Sequence, residues 1–184
     1  MFRCATAITI WSGARPSECV ILEVSSFDLP ESGWGMVRIK EAWIGAGWRY
    51  DTPGNRKIGK PKTTTSYRSV PLAPACVAEV RAYLEFAGIT SGRFFVGRGG
   101  AERPSQSNWG RSLKRACAKV GVEYRKPYAF RHAFASNAAA SGVGVAELAV
   151  LMGSSIETVS RYYIHFVAGD NSRTMAVLER AFGE

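Results

Sequence analysis

From Pro74 onward the chain is written as a succession of helix starts and stops, and this punctuation constrains its fold more than any other feature. Residues 74–87 open on Pro74 and close at Gly88, with Val77, Val80 and Leu84 along one stripe. Residues 107–120 give a basic amphipathic helix whose apolar side is Trp109, Leu113, Cys117 and Val120. Residues 128–141 are alanine-rich and end at Gly142; residues 145–152 are apolar and end at Gly153. Ser154-Ser155-Ile156-Glu157 has the S-x-x-E spacing of a capping box, so a further helix is expected to start at Ser154 and to carry Val159 and Tyr162 or Tyr163. Asn171 or Ser172 can cap a last helix running through Phe182.

The earlier residues are patterned differently. Residues 3–12 are mostly apolar and stop at Ser12-Gly13, as a helix does, and Pro16 suits the first turn of another, with Glu18 placed for that turn's positive dipole. Residues 34–50 are rich in β-branched and aromatic side chains broken by glycines, which predicts strands near 36–40 and 43–50. SYRSVPL alternates until it meets Pro71 and predicts a third strand. The expected fold is α+β: one domain over residues 1–184, mostly helical, with a small antiparallel three-stranded sheet. No repeat, low-complexity tract or linker divides it. Its core is expected to hold Ile8, Ile21, Leu22, Leu84, Leu113, Phe134, Leu148 and Leu151.

With 184 residues, the chain can bury such a core without disulfides or a structural metal. No apolar run approaches the ~18 residues of a membrane span, and the N-terminus lacks the pattern of a secretory signal. The four cysteines (4, 19, 76 and 117) form no C-x-x-C pair and there are two histidines, so no zinc site is expected; the thiols read as free and buried in a reducing compartment. The 24 Lys and Arg against 15 Asp and Glu give a net charge of +9 and a pI near 9.7. Cations cluster in RKIGKPKTTTSYR, residues 56–68, and again over residues 111–126, a footprint of nucleic-acid binding that charge alone does not separate from a merely soluble basic domain.

Three separated pieces carry more: SGARPSE, PKTTTSYRSVPL, and YAFRHAFAS followed by LMGSSIETVSRYYIH. In this order and at these spacings they resemble the catalytic domain of the tyrosine recombinases, the phage integrase family, from about residue 5 to 166. SGARPSE resembles the family's first arginine motif and gives Arg15. The second piece resembles its β-hairpin lysine and R-x-V-P-L strand, giving Lys62, with Lys60 a close alternative. The third resembles the H-x-x-R-H box, giving Arg131 and His132, and the Y-x-H box, giving Tyr163 and His165. Two positions depart from the usual motif: Tyr128 stands where the family has a histidine three residues before the second arginine, and Ser154 where it has a histidine or tryptophan nine before the tyrosine. Both resemble a variant branch of the family.

The chemistry accounts for these residue types. A phosphodiester is an anion whose transition state spreads further charge over its oxygens, and two arginines can fork onto them without losing charge. Arg15 and Arg131 are assigned that work. A tyrosine attacking phosphorus in line would leave a 3′-phosphotyrosine and a 5′-hydroxyl, without metal or cofactor. Tyr163 is the expected nucleophile, Tyr162 its rival, expected in the core. The resemblance makes Lys62 the general acid for the leaving 5′-oxygen and gives His132 and His165 supporting places. Glu18, one helical turn after Arg15, is expected to orient an arginine. The hydroxyls of Tyr128 and Ser154 can replace the missing imidazoles at phosphate. Lys60, Arg68, Arg111, Lys114, Arg115 and Lys126 are the expected DNA contacts.

The resemblance thus implies site-specific cleavage and rejoining of double-stranded DNA, most plausibly for a mobile element, by a bacterial or phage-encoded cytoplasmic protein acting as a tetramer on DNA. It also implies an N-terminally truncated domain without the family's core-binding domain, and a segment 167–184 that docks either on a neighbouring protomer or on its own core. A catalytically impaired DNA-binding module is the alternative; a type IB topoisomerase fits the motifs less well.

Overall fold

A computed structural model of the chain describes residues 1–44, 57–59, 67–97, 104–167 and 171–182. Helix α1 (Phe2–Ser12) ends at Gly13, whose φ of 62° is left-handed. It buries Thr9 and Ser12 beside Cys4, Ala5 and Ile8, and this is tolerated because each hydroxyl donates to the carbonyl one turn back: Thr9 to Ala5 at 3.0 Å and Ser12 to Ile8 at 2.6 Å. Helix α2 (Pro16–Cys19) is one turn, with Pro16 at its first position.

A 3-10 turn at Val24–Ser26 leads into β1 (Phe27–Asp28), followed by β2 (Gly35–Ile39), β3 (Ala42–Ile44), β4 (Lys57–Gly59) and β5 (Arg68–Leu72). The antiparallel three-stranded sheet has the order β1-β2-β5, with Phe27 opposite Val37 and Val37 opposite Val70. Its membership differs from the sequence expectation. The second expected strand is represented by β3, which pairs with β4 in a separate ribbon, and the place at the sheet edge is taken by two-residue β1, too short to show an alternation. Pro71 is accommodated because β5 has a sheet partner on one side only.

Helices α3 (Pro74–Ala87), α4 (Gln106–Lys119), α5 (Tyr128–Ala140), α6 (Val145–Met152), α7 (Ile156–Val167) and α8 (Asn171–Phe182) follow the punctuation of the sequence closely. The cap of α7 is a correction: it is Ser155, whose hydroxyl accepts from the Thr158 backbone N–H at 3.2 Å, while Ser154 serves elsewhere. No helix of the described residues is long and apolar enough to cross a membrane.

Two apolar clusters make the core. The first joins α1, α2, the sheet and α3 to Phe94, Phe95 and Trp109; the second joins α5, α6 and α7 through Ala135, Ala139, Leu148, Ala149, Met152, Val159 and Tyr163. Of the expected core, Ile8, Ile21, Leu22 and Leu148 are buried, whereas Leu84, Leu113, Phe134 and Leu151 are partly buried against it. Cys4, Cys19 and Cys76 are free and buried; burial pushes the Cys19 and Cys76 thiols up to about 12, which keeps them inert at neutral pH.

The clusters meet where Gly13 faces Phe134: a Cβ on Gly13 would stand 2.5 Å from the Phe134 ring. Gly13→Ala is therefore expected to destabilise the domain by ~1–3 kcal/mol, from left-handed strain and overpacking together, read as a lowered thermal midpoint.

Candidate active site

The site lies on the seam between the two clusters, and its organising feature is the C-terminal end of α6. The last carbonyls of a helix have no partner within it. Here three consecutive ones each take a guanidinium from a different element. Leu151 O accepts from Arg68 Nε of β5 at 2.8 Å, Met152 O from Arg131 Nη2 of α5 at 2.8 Å, and Gly153 O from Arg15 Nη2, before α2, at 2.7 Å. The chain can turn this tightly because residue 153 is glycine. Its φ is 58°, and a Cβ there would approach Arg68 Nη1 to 2.7 Å.

Glu18 ties the arginines together from the other side. Its carboxylate accepts from Arg15 Nη1 and the Arg15 backbone N–H, both at 2.7 Å, and from Arg68 Nη2 at 2.8 Å and Nη1 at 3.2 Å. Burial by itself would raise its pKa. The hydrogen bonds and charge of Arg68, with those of Arg15, outweigh that and hold Glu18 below the usual carboxylate range. Glu18 thus pairs with both Arg15 and Arg68.

Arg15 and Arg131 converge on Ser154: Oγ accepts from Arg131 Nη2 at 3.1 Å and from Arg15 Nη2 at 3.4 Å. A serine oxygen so engaged keeps its own hydrogen free to donate. Arg131 also donates to Gly13 O at 2.5 Å. Burial, and then the charges of Arg15 and Arg68, press Arg131 below its ordinary pKa, so an anion arriving here would relieve repulsion among the guanidiniums.

Tyr163 of α7 is 4% exposed, and its hydroxyl lies 2.6 Å from His132 Nδ1 on α5. Tyr162, expected in the core, is instead 54% exposed: the inward place on α7 beside buried Val159 is taken by Tyr163, four residues on. Tyr128 is exposed at the start of α5, its ring edge against His132. His165 lies on α7 two residues beyond Tyr163. Lys60 and Lys62 fall outside the described residues.

Of the expected DNA contacts, Arg111, Lys114, Arg115 and Lys126 are exposed, and Arg111, Lys114 and Lys126 line a cleft of ~600 Å³ that opens beside Arg15 and Tyr128. Arg68 is a correction: its side chain is 1% exposed, held by Glu18 and the end of α6, and so is a structural cation rather than a surface contact. The alternation of β5 carried this signal, since Arg68 shares its parity with buried Val70 and Leu72. The backbone carbonyls that hold the arginines were invisible to a search for side chains. Among the described residues no cluster of His, Cys, Asp or Glu is placed to hold a metal ion.

The arrangement offers two convergent guanidiniums, a hydroxyl between them and a buried phenol on the adjoining helix. Comparisons place it among known proteins. The model of the phage integrase family matches residues 2–168. The Tn1549 transposon integrase, solved in complex with circular intermediate DNA, is similar in structure at 19% identity and a TM-score of 0.72, over 97% of this chain and 59% of that one. The XerH site-specific recombinase bound to its difH substrate is similar at 17% identity and a TM-score of 0.65, over 96% and 45%. The catalytic domain of bacteriophage HP1 integrase is similar at 18% identity and a TM-score of 0.54, over 98% and 84%. This chain therefore spans about three-fifths, 59%, of the solved portion of the transposon integrase. No curated protein matches it in sequence.

The buried Arg68–Glu18–Arg15 chain predicts an acid limb in stability. A carboxyl held below its ordinary value contributes stability that is fully present above the unfolded pKa, ~4.3, and is lost as pH falls through the folded value. Thermal midpoints should fall below about pH 4. Glu18→Gln should flatten that limb and cost ~3–5 kcal/mol at neutral pH, because it leaves buried arginine charge uncompensated.

Proposed function

As this chain belongs to the phage integrase family, we propose that it cleaves and rejoins DNA strands at specific sites through a covalent tyrosine intermediate, as the recombinase of a mobile element. The observation that carries this reading is the convergence of Arg15 and Arg131 on one point, Ser154 Oγ, beside the helix that presents Tyr163. A scissile phosphate at that point would meet the donors that developing charge on its oxygens requires.

In this mechanism Arg15 and Arg131 bind the non-bridging oxygens and Ser154 adds a hydroxyl donor. Tyr163 attacks phosphorus, forming a 3′-phosphotyrosine and releasing a 5′-hydroxyl that takes its proton from Lys62, a role assigned on the family resemblance. Bond number is conserved, so the step reverses and can join a different 5′ end. Arg111, Lys114 and Lys126 around the cleft support contact with the flanking DNA backbone. Met175, Leu178 and Phe182, exposed on α8, support docking of residues 167–184 on a neighbouring copy within a DNA-bound tetramer.

A second reading, a DNA-binding module without strand transfer, is favoured by the burial of Arg131, which is 2% exposed and already donates to two backbone carbonyls. The readings part at the covalent step. Incubated with nicked duplex oligonucleotides selected from a random pool by binding to the chain, the protein should give an SDS-resistant adduct whose modified peptide contains Tyr163. Tyr163→Phe should bind the same duplexes and give none. Binding without any adduct from the native chain would favour the module.

Lys114→Ala should weaken duplex binding similarly across sequences and lower the slope of log affinity against log salt by ~1, measured by fluorescence anisotropy. Arg68→Ala should act through folding, lowering the thermal midpoint by the loss of a buried ion pair.

A further inference from the structure

Tyr163 cannot attack phosphorus efficiently while it keeps its proton, and burial pushes its phenol above the ordinary tyrosine range, against the lowering charge of Arg131. Among the described residues, an imidazole nitrogen meets that hydroxyl. Consecutive positions on α5 point in different directions, so Arg131 enters the arginine cluster while His132 turns to α7, with Nδ1 2.6 Å from Tyr163 Oη. Building on the strand-transfer reading above, we propose that His132 is the general base of the reaction, taking the Tyr163 proton on Nδ1 as the tyrosine attacks and returning it when the strand is rejoined.

The other described groups facing Tyr163 do not serve. Arg131 of α5 has no acceptor, and Tyr128 of α5 and Tyr162 of α7 offer phenolic hydroxyls rather than a basic ring nitrogen. Behind Arg131 stand Arg15, Arg68 and Glu18, and the Glu18 carboxylate is engaged by both of those arginines. His132 is exposed, so its ring can exchange protons with solvent between turnovers. With a tyrosine at 128 and a serine at 154, the imidazole that meets Tyr163 among the described residues is that of His132, the last residue of the H-x-x-R-H box.

The step balances. The neutral ring carries its proton on Nε2 and its lone pair on Nδ1. The Tyr163 Oη–phosphorus bond forms as the phosphorus–O5′ bond breaks; the phenolic proton passes to Nδ1, and the 5′-oxygen takes a proton from Lys62. In reverse the 5′-hydroxyl attacks, Lys62 recovers its proton, and the imidazolium protonates the departing phenolate.

The test is single-turnover adduct formation on the selected nicked duplexes, for the native chain and His132→Asn, across pH. Asparagine can accept the phenolic hydrogen bond at the position of Nδ1 but takes no proton. The expected result is an adduct rate lower by ~10²–10⁴ at neutral pH, rising about tenfold per pH unit as hydroxide ionises the phenol. In His132→Gly, added imidazole should restore part of the rate. A His132→Asn variant with the native rate and pH profile overturns the base and leaves His132 a positioning residue. A native chain that forms no adduct overturns strand transfer and the base with it, so the two failures are distinct. Nitrogen-15 NMR adds an arm that needs no DNA. His132 Nδ1 should show an unprotonated, hydrogen-bonded nitrogen whose shift moves in Tyr163→Phe. A proton resident on Nδ1 of the neutral ring overturns the proposal.

Discussion

The three buried or half-buried arginines of this site hang from three carbonyl oxygens at the end of α6. Helix ends leave such groups orphaned, and a buried orphan carbonyl costs ~1–3 kcal/mol. Usually a glycine turn or water satisfies them. Here the carbonyls of residues 151–153 bind Arg68, Arg131 and Arg15, so a β-strand, a helix face and a helix start are pinned to one another at their polar tips. The second apolar cluster cannot slide past the first without breaking these bonds. The site's geometry and the packing of its two halves are in that sense one requirement.

The same device explains how several arginines can be crowded together before any ligand arrives. Carboxylates alone could neutralise them, but a fully neutral cluster would have no appetite for phosphate. Glu18 compensates Arg15 and Arg68 by contact, whereas Arg131 is held by backbone carbonyls and a serine. The negative end of the α6 dipole adds a partial charge that is fixed in place and cannot be protonated away. Positive charge is thus left over, oriented and partly desolvated. That is the condition under which donors stabilise developing charge most strongly.

Much of this was legible in the sequence, and what escaped did so for physical reasons. Pro74, Gly88 and Gly153 marked helix ends because proline and left-handed glycine act locally. Arg15, Glu18, Arg131 and Tyr163 are named from motif and helical spacing, which does not depend on packing, and the structure brings Arg15, Glu18 and Arg131 into one cluster. Arg68 was read as a surface cation because residue type suggested exposure, although strand parity placed it inward; tertiary pairing with Glu18 overrode the residue type. Ser154 and Ser155 both suit a cap. The sequence could not say that two distant arginines would claim the first and leave the second to the helix. Phe94 and Phe95 lie in a stretch with no periodicity, and their burial against Phe27 and Tyr83 depends on a backbone tie from Phe94 to Leu22 that no local pattern announces.

The two departures from the family motif are unlike one another in consequence. At position 154 one oxygen accepts from two guanidiniums and can still donate. A neutral imidazole has a single acceptor nitrogen and a single donor nitrogen on opposite sides of a rigid ring, so it could not copy that triple engagement at one atom. Serine therefore lets the guanidiniums close on a shared point. Position 128 is a different case: Tyr128 is exposed, and its ring edge rests on His132, which in turn meets Tyr163. Where the family motif has an imidazole, this chain has an aromatic ring that packs against the His132 imidazole. The donor function lost at both positions is thus divided, with hydrogen bonding concentrated at Ser154 and proton handling at the contact between α5 and α7.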